Sequence, residues 1–191
     1  GIAVINADDH RVMAQAERTR ARIFRFGRHA EAQVRAERIT SLGERGFAFD
    51  LVTESDRVPV HVSGLGEPTV SNALAGSAAA LAAGAPLASV AEGLARYQPM
   101  SGRMEQVSLP RNIIVINDTY NANPQSMEVA LRSLTELNGE SRGVAVLGDM
   151  GELGSSAGAA HWATGALVAE LGLDFLFALG QFAADIAEGA T

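Results

Sequence analysis

At 191 residues, 47% hydrophobic and 19% charged, the chain is long enough for one large or two small domains and apolar enough to bury a real core. Its formal net charge of −7 argues against wholesale binding to nucleic acid or to an anionic membrane surface, since both require a basic face. There is no Cys, which excludes disulfides, thiolate metal sites and a Cys nucleophile, and there is no Lys, so a P-loop lysine or a Schiff base cannot come from this chain. No apolar run is long enough to cross a bilayer and nothing reads as an export signal, so a cytoplasmic location is expected.

The chain opens without Met, directly into the strand-like run Ile2-Ala3-Val4-Ile5, and reads as a piece of a longer protein. Asn6, Asp8 and Asp9 follow, then a helical pattern with Val12, Met13 and Ala16 on one face. Ile23 to Gly27 predicts a short strand, and three more are expected around Ala32 to Ile39, Phe47 to Leu51 and Val58 to Val62. In the last two, apolar residues alternate at the period of half-buried strands, and Pro59 places the final one at a sheet edge. A turn over Gly64 to Pro68 leads into an Ala-rich helix, Thr69 to Ala83, suited to close packing in a core. Gly64-Leu65-Gly66 lacks the third glycine and the strand-to-helix setting of a dinucleotide fingerprint. Leu87, Val90, Leu94 and Tyr97 are spaced for another amphipathic helix. Pro99 to Gly102 reads as a hinge, giving expected domains of 1–100 and 101–191.

Beyond the hinge, Ile113 to Ile116 is a continuous apolar run of the kind a strand buried on both faces shows. Asp118 falls just past its end. Asn123 stands at an N-cap position and Pro124 at the first position of a helix with Met127, Ala130, Leu131, Leu134 and Leu137 on one face. Val144 to Leu147 predicts a strand ending in Gly148-Asp149, and Ala163, Ala166, Leu167 and Leu171 mark a helix stopped by Gly172. Phe175 to Leu179 is a further strand, with a last helix from near Gln181. Strands and helices alternating at this spacing predict βαβ units, a parallel sheet and the α/β class.

Open α/β sheets gather their ligands past the C-terminal ends of strands. Asp118 and Asp149 both lie there, and neighbouring strands of one sheet would set them on one rim. Carboxylates so placed can accept ribose hydroxyls, hold a metal or move protons; the competing reading is that each caps a loop or helix. Arg103, beside Ser101-Gly102, is either a solvated surface residue or a phosphate clamp acting through charge-assisted bonds. Asn72, on an Ala-rich helical face, needs an internal hydrogen bond or a contact to a heterocycle. His161 is a base or a structural residue near a helix start. No Walker A sequence, no His-Glu pair at zinc-ligand spacing and no Ser in a nucleophile elbow occurs.

Asp118-Thr119-Tyr120-Asn121-Ala122-Asn123-Pro124, with Ser126-Met127, resembles the signature of the Mur ligases. Four other stretches agree in order: Ala3 to Asp9, Asn72 to Ala75, Gly102-Arg103-Met104-Glu105, and Val146 to Gly154 with His161 downstream. The resemblance implies a truncated central ATPase domain followed by a Rossmann-like C-terminal domain, in a cytoplasmic enzyme of peptidoglycan synthesis. In such an enzyme ATP phosphorylates the terminal carboxylate of UDP-N-acetylmuramoyl-tripeptide, and the amine of D-alanyl-D-alanine attacks the acyl phosphate. It further implies that Asn72 meets the adenine, Arg103 the ATP phosphates and Asp118 the nucleotide, with Tyr120, Asn121 and Asn123 shaping the same loop. Ser126, Asp149, Glu152 and His161 would face the peptide or dipeptide side. The Walker A loop, the ligands for Mg2+ and a carbamylated lysine are expected upstream of Gly1, so no complete catalytic set and no metal site is expected here. Gly66-Glu67-Pro68-Thr69 departs from the family's commoner Gly-Arg-His-Asn, removing a His and an Asn from the adenine side. Two rival readings remain: another amide ligase of the superfamily, of a different Mur type or of folylpolyglutamate type, and a Rossmann-like ligand-binding module without catalysis.

Overall fold

Alternating apolar side chains drive the first half of the chain into one twisted sheet. In the computed structural model, which describes residues 1–139 and 141–191, the chain divides into two units, Gly1–Gln98 and Pro99–Thr191. In the first unit, β1 (Ile2–Asn6), β2 (Arg22–Gly27), β3 (Val34–Ser41), β4 (Phe47–Val52) and β5 (Arg57–Val62) lie side by side in chain order. Pairing is parallel from β1 to β3 and antiparallel from β3 to β5. β5, which carries Pro59, is an edge strand as expected. The Ala-rich α2 (Pro68–Ala82) packs on β1, β2 and β3, and α3 (Leu87–Arg96) packs on β5. Val34, Leu51, Val70, Leu74 and Ala78 are fully buried at the centre of this core.

Two features of this unit go beyond the sequence pattern. The helical face expected from Val12, Met13 and Ala16 buries nothing: α1 (His10–Ala14) is little more than one turn and passes into a 3-10 turn at Gln15–Arg18. The β3–β4 register shifts between Glu37 and Thr40, where Arg38 adopts a φ of 55°. That bulge brings Arg38 Nε to 2.8 Å from the carboxylate of buried Asp50, and Arg57 reaches the same oxygen at 3.4 Å.

In the second unit the expected parallel pair forms between β8 (Val144–Leu147) and β9 (Phe175–Ala178). The first strand of the unit differs from expectation. β7 (Ile113–Asn117) pairs antiparallel with β6 (Glu105–Leu109), a strand its polar sequence concealed, and not with β8. Pro110-Arg111-Asn112 closes this hairpin, with Arg111 and Asn112 both at positive φ. Ile113, Ile114 and Val115 are consequently 50%, 39% and 40% exposed, so the run is not buried on both faces. Asp118 and Asp149 therefore follow strands of two separate sheets.

Helices α4 (Pro124–Asn138), α5 (Ala157–Glu170) and α6 (Ala183–Gly189) complete the unit. Leu131, Ala145, Leu147, Val168 and Ile186 form its core. α5 and α6 meet backbone to backbone: a Cβ at Gly165 would overlap the carbonyl oxygen of Ile186, and one at Gly189 that of Trp162. Gly76, inside α2, has open space where its Cβ would stand. Opposite effects of one chemical change are therefore expected. Gly165→Ala should cost about 1–3 kcal/mol by overpacking, whereas Gly76→Ala should stabilise by about 0.5–1 kcal/mol through helix propensity. Urea unfolding of the two variants checks both signs.

Candidate functional site

The ends of the β6–β7 hairpin are unlike. One is closed by the tight loop at Pro110–Asn112, while the other opens where Ser101–Met104 enters β6 and Asp118–Asn123 leaves β7. Register pairs Glu105 with Asn117 at that open end, so the two loops lie against each other. Met104 N–H donates to Asp118 Oδ1 at 2.9 Å, and Tyr120 N–H donates to the Gly102 carbonyl at 2.9 Å. Gly102 is buried at a φ of 74°, a backbone conformation that favours glycine, with the Tyr120 backbone packed beside it.

Arg103 lies between these ties. Its guanidinium sits 4.0 Å above the centre of the exposed Tyr120 ring, a cation–π contact that holds an otherwise solvated cation at a fixed place. Asp118 is half-buried, with its second oxygen free of hydrogen bonds among the described residues. One loop thus presents a guanidinium, an aromatic face and a carboxylate oxygen together. Asp118 and Tyr120 also line a cleft of about 430 Å³ between β7 and β8, together with Ile116, Met127, Val146 and Asp149 among others.

The remaining expected site residues divide by what already engages them. Asn123 caps α4: its Oδ1 accepts from Ser126 N–H at 2.9 Å, while Ser126 Oγ accepts from Asn123 N–H at 3.0 Å. Asn121 is exposed, and its Oδ1 accepts from the N–H of Ala122. Asp149 accepts from the N–H groups of Gln181 and Phe182 at 2.7 and 3.0 Å, so it caps the entry to α6. His161 is fully buried and stacked on Phe182, with both ring nitrogens used: Nε2 accepts from Met150 N–H and Nδ1 donates to the Ala157 carbonyl. A ring so engaged cannot act as a base; it anchors the loop after β8. Glu152, exposed at a φ of 61°, projects from that loop.

In the first unit Asn72 is exposed on α2, not buried, and its amide has no partner among the described residues. Glu67, at the helix entry, pairs with Arg28. Sequence reasoning assigned nothing to Glu105, although its carboxylate accepts from Ser101, Gly102 and Asn117. Its place in the quoted Gly102-Arg103-Met104-Glu105 stretch was the only signal.

Comparison with known proteins bears directly on this loop. Residues 1–80 match the family model of the Mur ligase middle domain, and residues 102–191 match that of the Mur ligase glutamate ligase domain. The chain belongs to the Mur ligase family. Among curated Mur ligases, the UDP-N-acetylmuramoyl-tripeptide–D-alanyl-D-alanine ligase of Escherichia coli is 31% identical over 95% of this chain and 40% of its own length. Its counterpart in Mycobacterium tuberculosis is 37% identical over 94% of this chain and 36% of its own. A MurF structure from Acinetobacter baumannii superposes over the whole chain with a TM-score of 0.83 at 34% identity, covering 40% of that protein. The chain thus spans about 40% of the length of these relatives.

The Asp149 cap carries a pH dependence. Hydrogen bonds from Phe182 and Gln181 hold its carboxyl below the ordinary value of 3.8. Its contribution is fully present above the unfolded pKa and is lost as pH falls through the lower, folded one. Asp149→Asn should therefore unfold at lower urea than the parent near neutral pH, with the gap closing below about pH 4. Urea titrations across that range measure it; a gap independent of pH would rule the charged cap out.

Proposed function

We propose that the second unit supplies a nucleotide-facing surface of a UDP-N-acetylmuramoyl-tripeptide–D-alanyl-D-alanine ligase. The observation that carries this reading is the loop on which Arg103 lies across Tyr120 beside the half-free Asp118 carboxylate. It is supported by 28–37% identity to ligases of that name over nearly the whole chain. In this reading residues 1–100 belong to the ATP-binding middle domain and 101–191 to the C-terminal ligase domain, in a cytoplasmic enzyme.

A carboxylate is a poor electrophile, and converting it to an acyl phosphate gives the attacking amine a good leaving group. Charge accumulates on the transferred phosphoryl oxygens, where a preorganised cation is most effective. Arg103 would bind those oxygens through planar, charge-assisted donors. The free oxygen of Asp118 would accept a ribose hydroxyl, and the Asn72 amide would offer a donor and an acceptor to adenine. ATP supplies the phosphoryl group. Among the described residues no group of three His, Asp or Glu is placed to hold a metal ion.

Arg103→Ala and Asp118→Ala, made in the full-length product of the gene, test the reading. With UDP-N-acetylmuramoyl-tripeptide and D-alanyl-D-alanine present, each should lower kcat/KM for ATP about ten- to hundredfold. ADP release unaffected by both would favour a ligand-binding module without catalysis. ADP release that depends on a different amine would point to another ligase of the superfamily.

A further inference from the structure

Glu105 is the first residue of β6 and stands opposite Asn117, the last residue of β7. Its Oε2 accepts three hydrogen bonds: from Ser101 Oγ at 2.7 Å, from Gly102 N–H at 3.2 Å and from Asn117 Nδ2 at 3.0 Å. Two donors come from the turn before β6 and one from the last residue of β7, so one oxygen stitches the two sides of the open end together.

The segment it closes is conformationally demanding. Gly102 and Met104 flank Arg103 at φ values of 74° and 51°, both in the left-handed region, and Met104 lacks the freedom of glycine. Arg103 N–H is tied to the Met100 carbonyl at 3.1 Å. Without a counter-anchor, a turn with two left-handed residues would relax toward commoner geometry and carry the Arg103 stem with it.

We propose that Glu105 is a positioning residue for nucleotide use: its carboxylate fixes the Ser101–Met104 turn so that the Arg103 guanidinium is delivered to the Tyr120 face beside Asp118. The inference rests on the ligase reading above. Three donors meeting on one oxygen favour the charged form, and they hold the Glu105 carboxyl below the ordinary value of 4.5.

The test uses the full-length product of the gene, carrying Glu105→Ala, Glu105→Gln, Arg103→Ala and the Glu105→Ala/Arg103→Ala pair. Two readouts are followed: KM for ATP against kcat, and amide hydrogen exchange at Gly102 and Tyr120 without nucleotide. Glu105→Ala should raise KM for ATP about tenfold, speed exchange at both amides, and add nothing further once Arg103 is already Ala. Glu105→Gln keeps the size and one acceptor and should fall between parent and Ala; it serves the same comparison if the Ala variant fails to fold. Additive losses, or faster exchange with an unchanged KM, overturn the proposal while leaving the ligase reading intact. Normal ATP use by Arg103→Ala overturns both.

Discussion

Antiparallel pairing of β6 with β7 is the constraint from which the candidate site follows. Register sets Glu105 opposite Asn117, so the residues entering one strand and those leaving the other emerge at the same end. Side-chain carboxylates then close the gap between them, Asp118 taking Met104 N–H from one side and Glu105 taking Asn117 from the other. Each bond exchanges a contact with water for one within the protein, so each is modest alone. Together they fix a backbone that enters the left-handed region on either side of Arg103, at Gly102 and Met104, and that backbone sets where the guanidinium goes.

Most polar residues of the family-like stretches hold the scaffold, leaving few groups free. Asn123 and Ser126 satisfy each other at the start of α4, and Asp149 satisfies two backbone donors before α6. His161 accepts from one backbone N–H and donates to one carbonyl, which selects the neutral ring protonated at Nδ1. What is left for a ligand among the described residues of these stretches includes the Arg103 guanidinium, the Tyr120 face, one Asp118 oxygen, the exposed Asn121 and Glu152, the Asn123 Nδ2 amide and, in the first unit, Asn72. A polar motif supplies chemistry only through the members its own backbone does not consume.

Local signals were legible and non-local ones were not. The Asn123-Pro124 helix start and the edge position of β5 follow from patterns a few residues long, and the parallel β8–β9 pair from the strand–helix–strand alternation. β6 escaped because Glu105-Gln106-Val107-Ser108-Leu109 has too few apolar residues to announce a strand, and its turn uses Arg111 and Asn112 at positive φ instead of glycine. The same omission made Ile113 to Ile116 look buried, since an apolar run states what could be covered and not what covers it. Asp149 showed both of its possible roles in sequence, but the donors that decide between them lie 32 and 33 residues away. For Asn72 the sequence offered an internal hydrogen bond or an outside contact, and could not choose because the face of α2 that meets the sheet, with Val70, Ala73, Leu74, Ser77 and Ala78, is set by tertiary packing; Asn72 lies exposed off that face.

Placement of the site within the second unit rests on α4 more than on any sheet. β7 makes no ladder with β8, so hydrogen bonding does not set the Asp118 loop against the Asp149 loop. The helix between them does: Leu131 is buried with Ala145 and Leu147 of β8, and Met127 packs on the same cluster. The start of α4 is fixed by the reciprocal bonds of Asn123 and Ser126, and only four residues separate that cap from Asp118. A short tether from a capped, packed helix restricts where the carboxylate can stand, and the Met104 and Glu105 bonds then carry the restriction back to Arg103. The capping box is thus part of the site's geometry: Asn123 Oδ1 and Ser126 Oγ are spent on it, and only the Asn123 Nδ2 amide has no partner among the described residues.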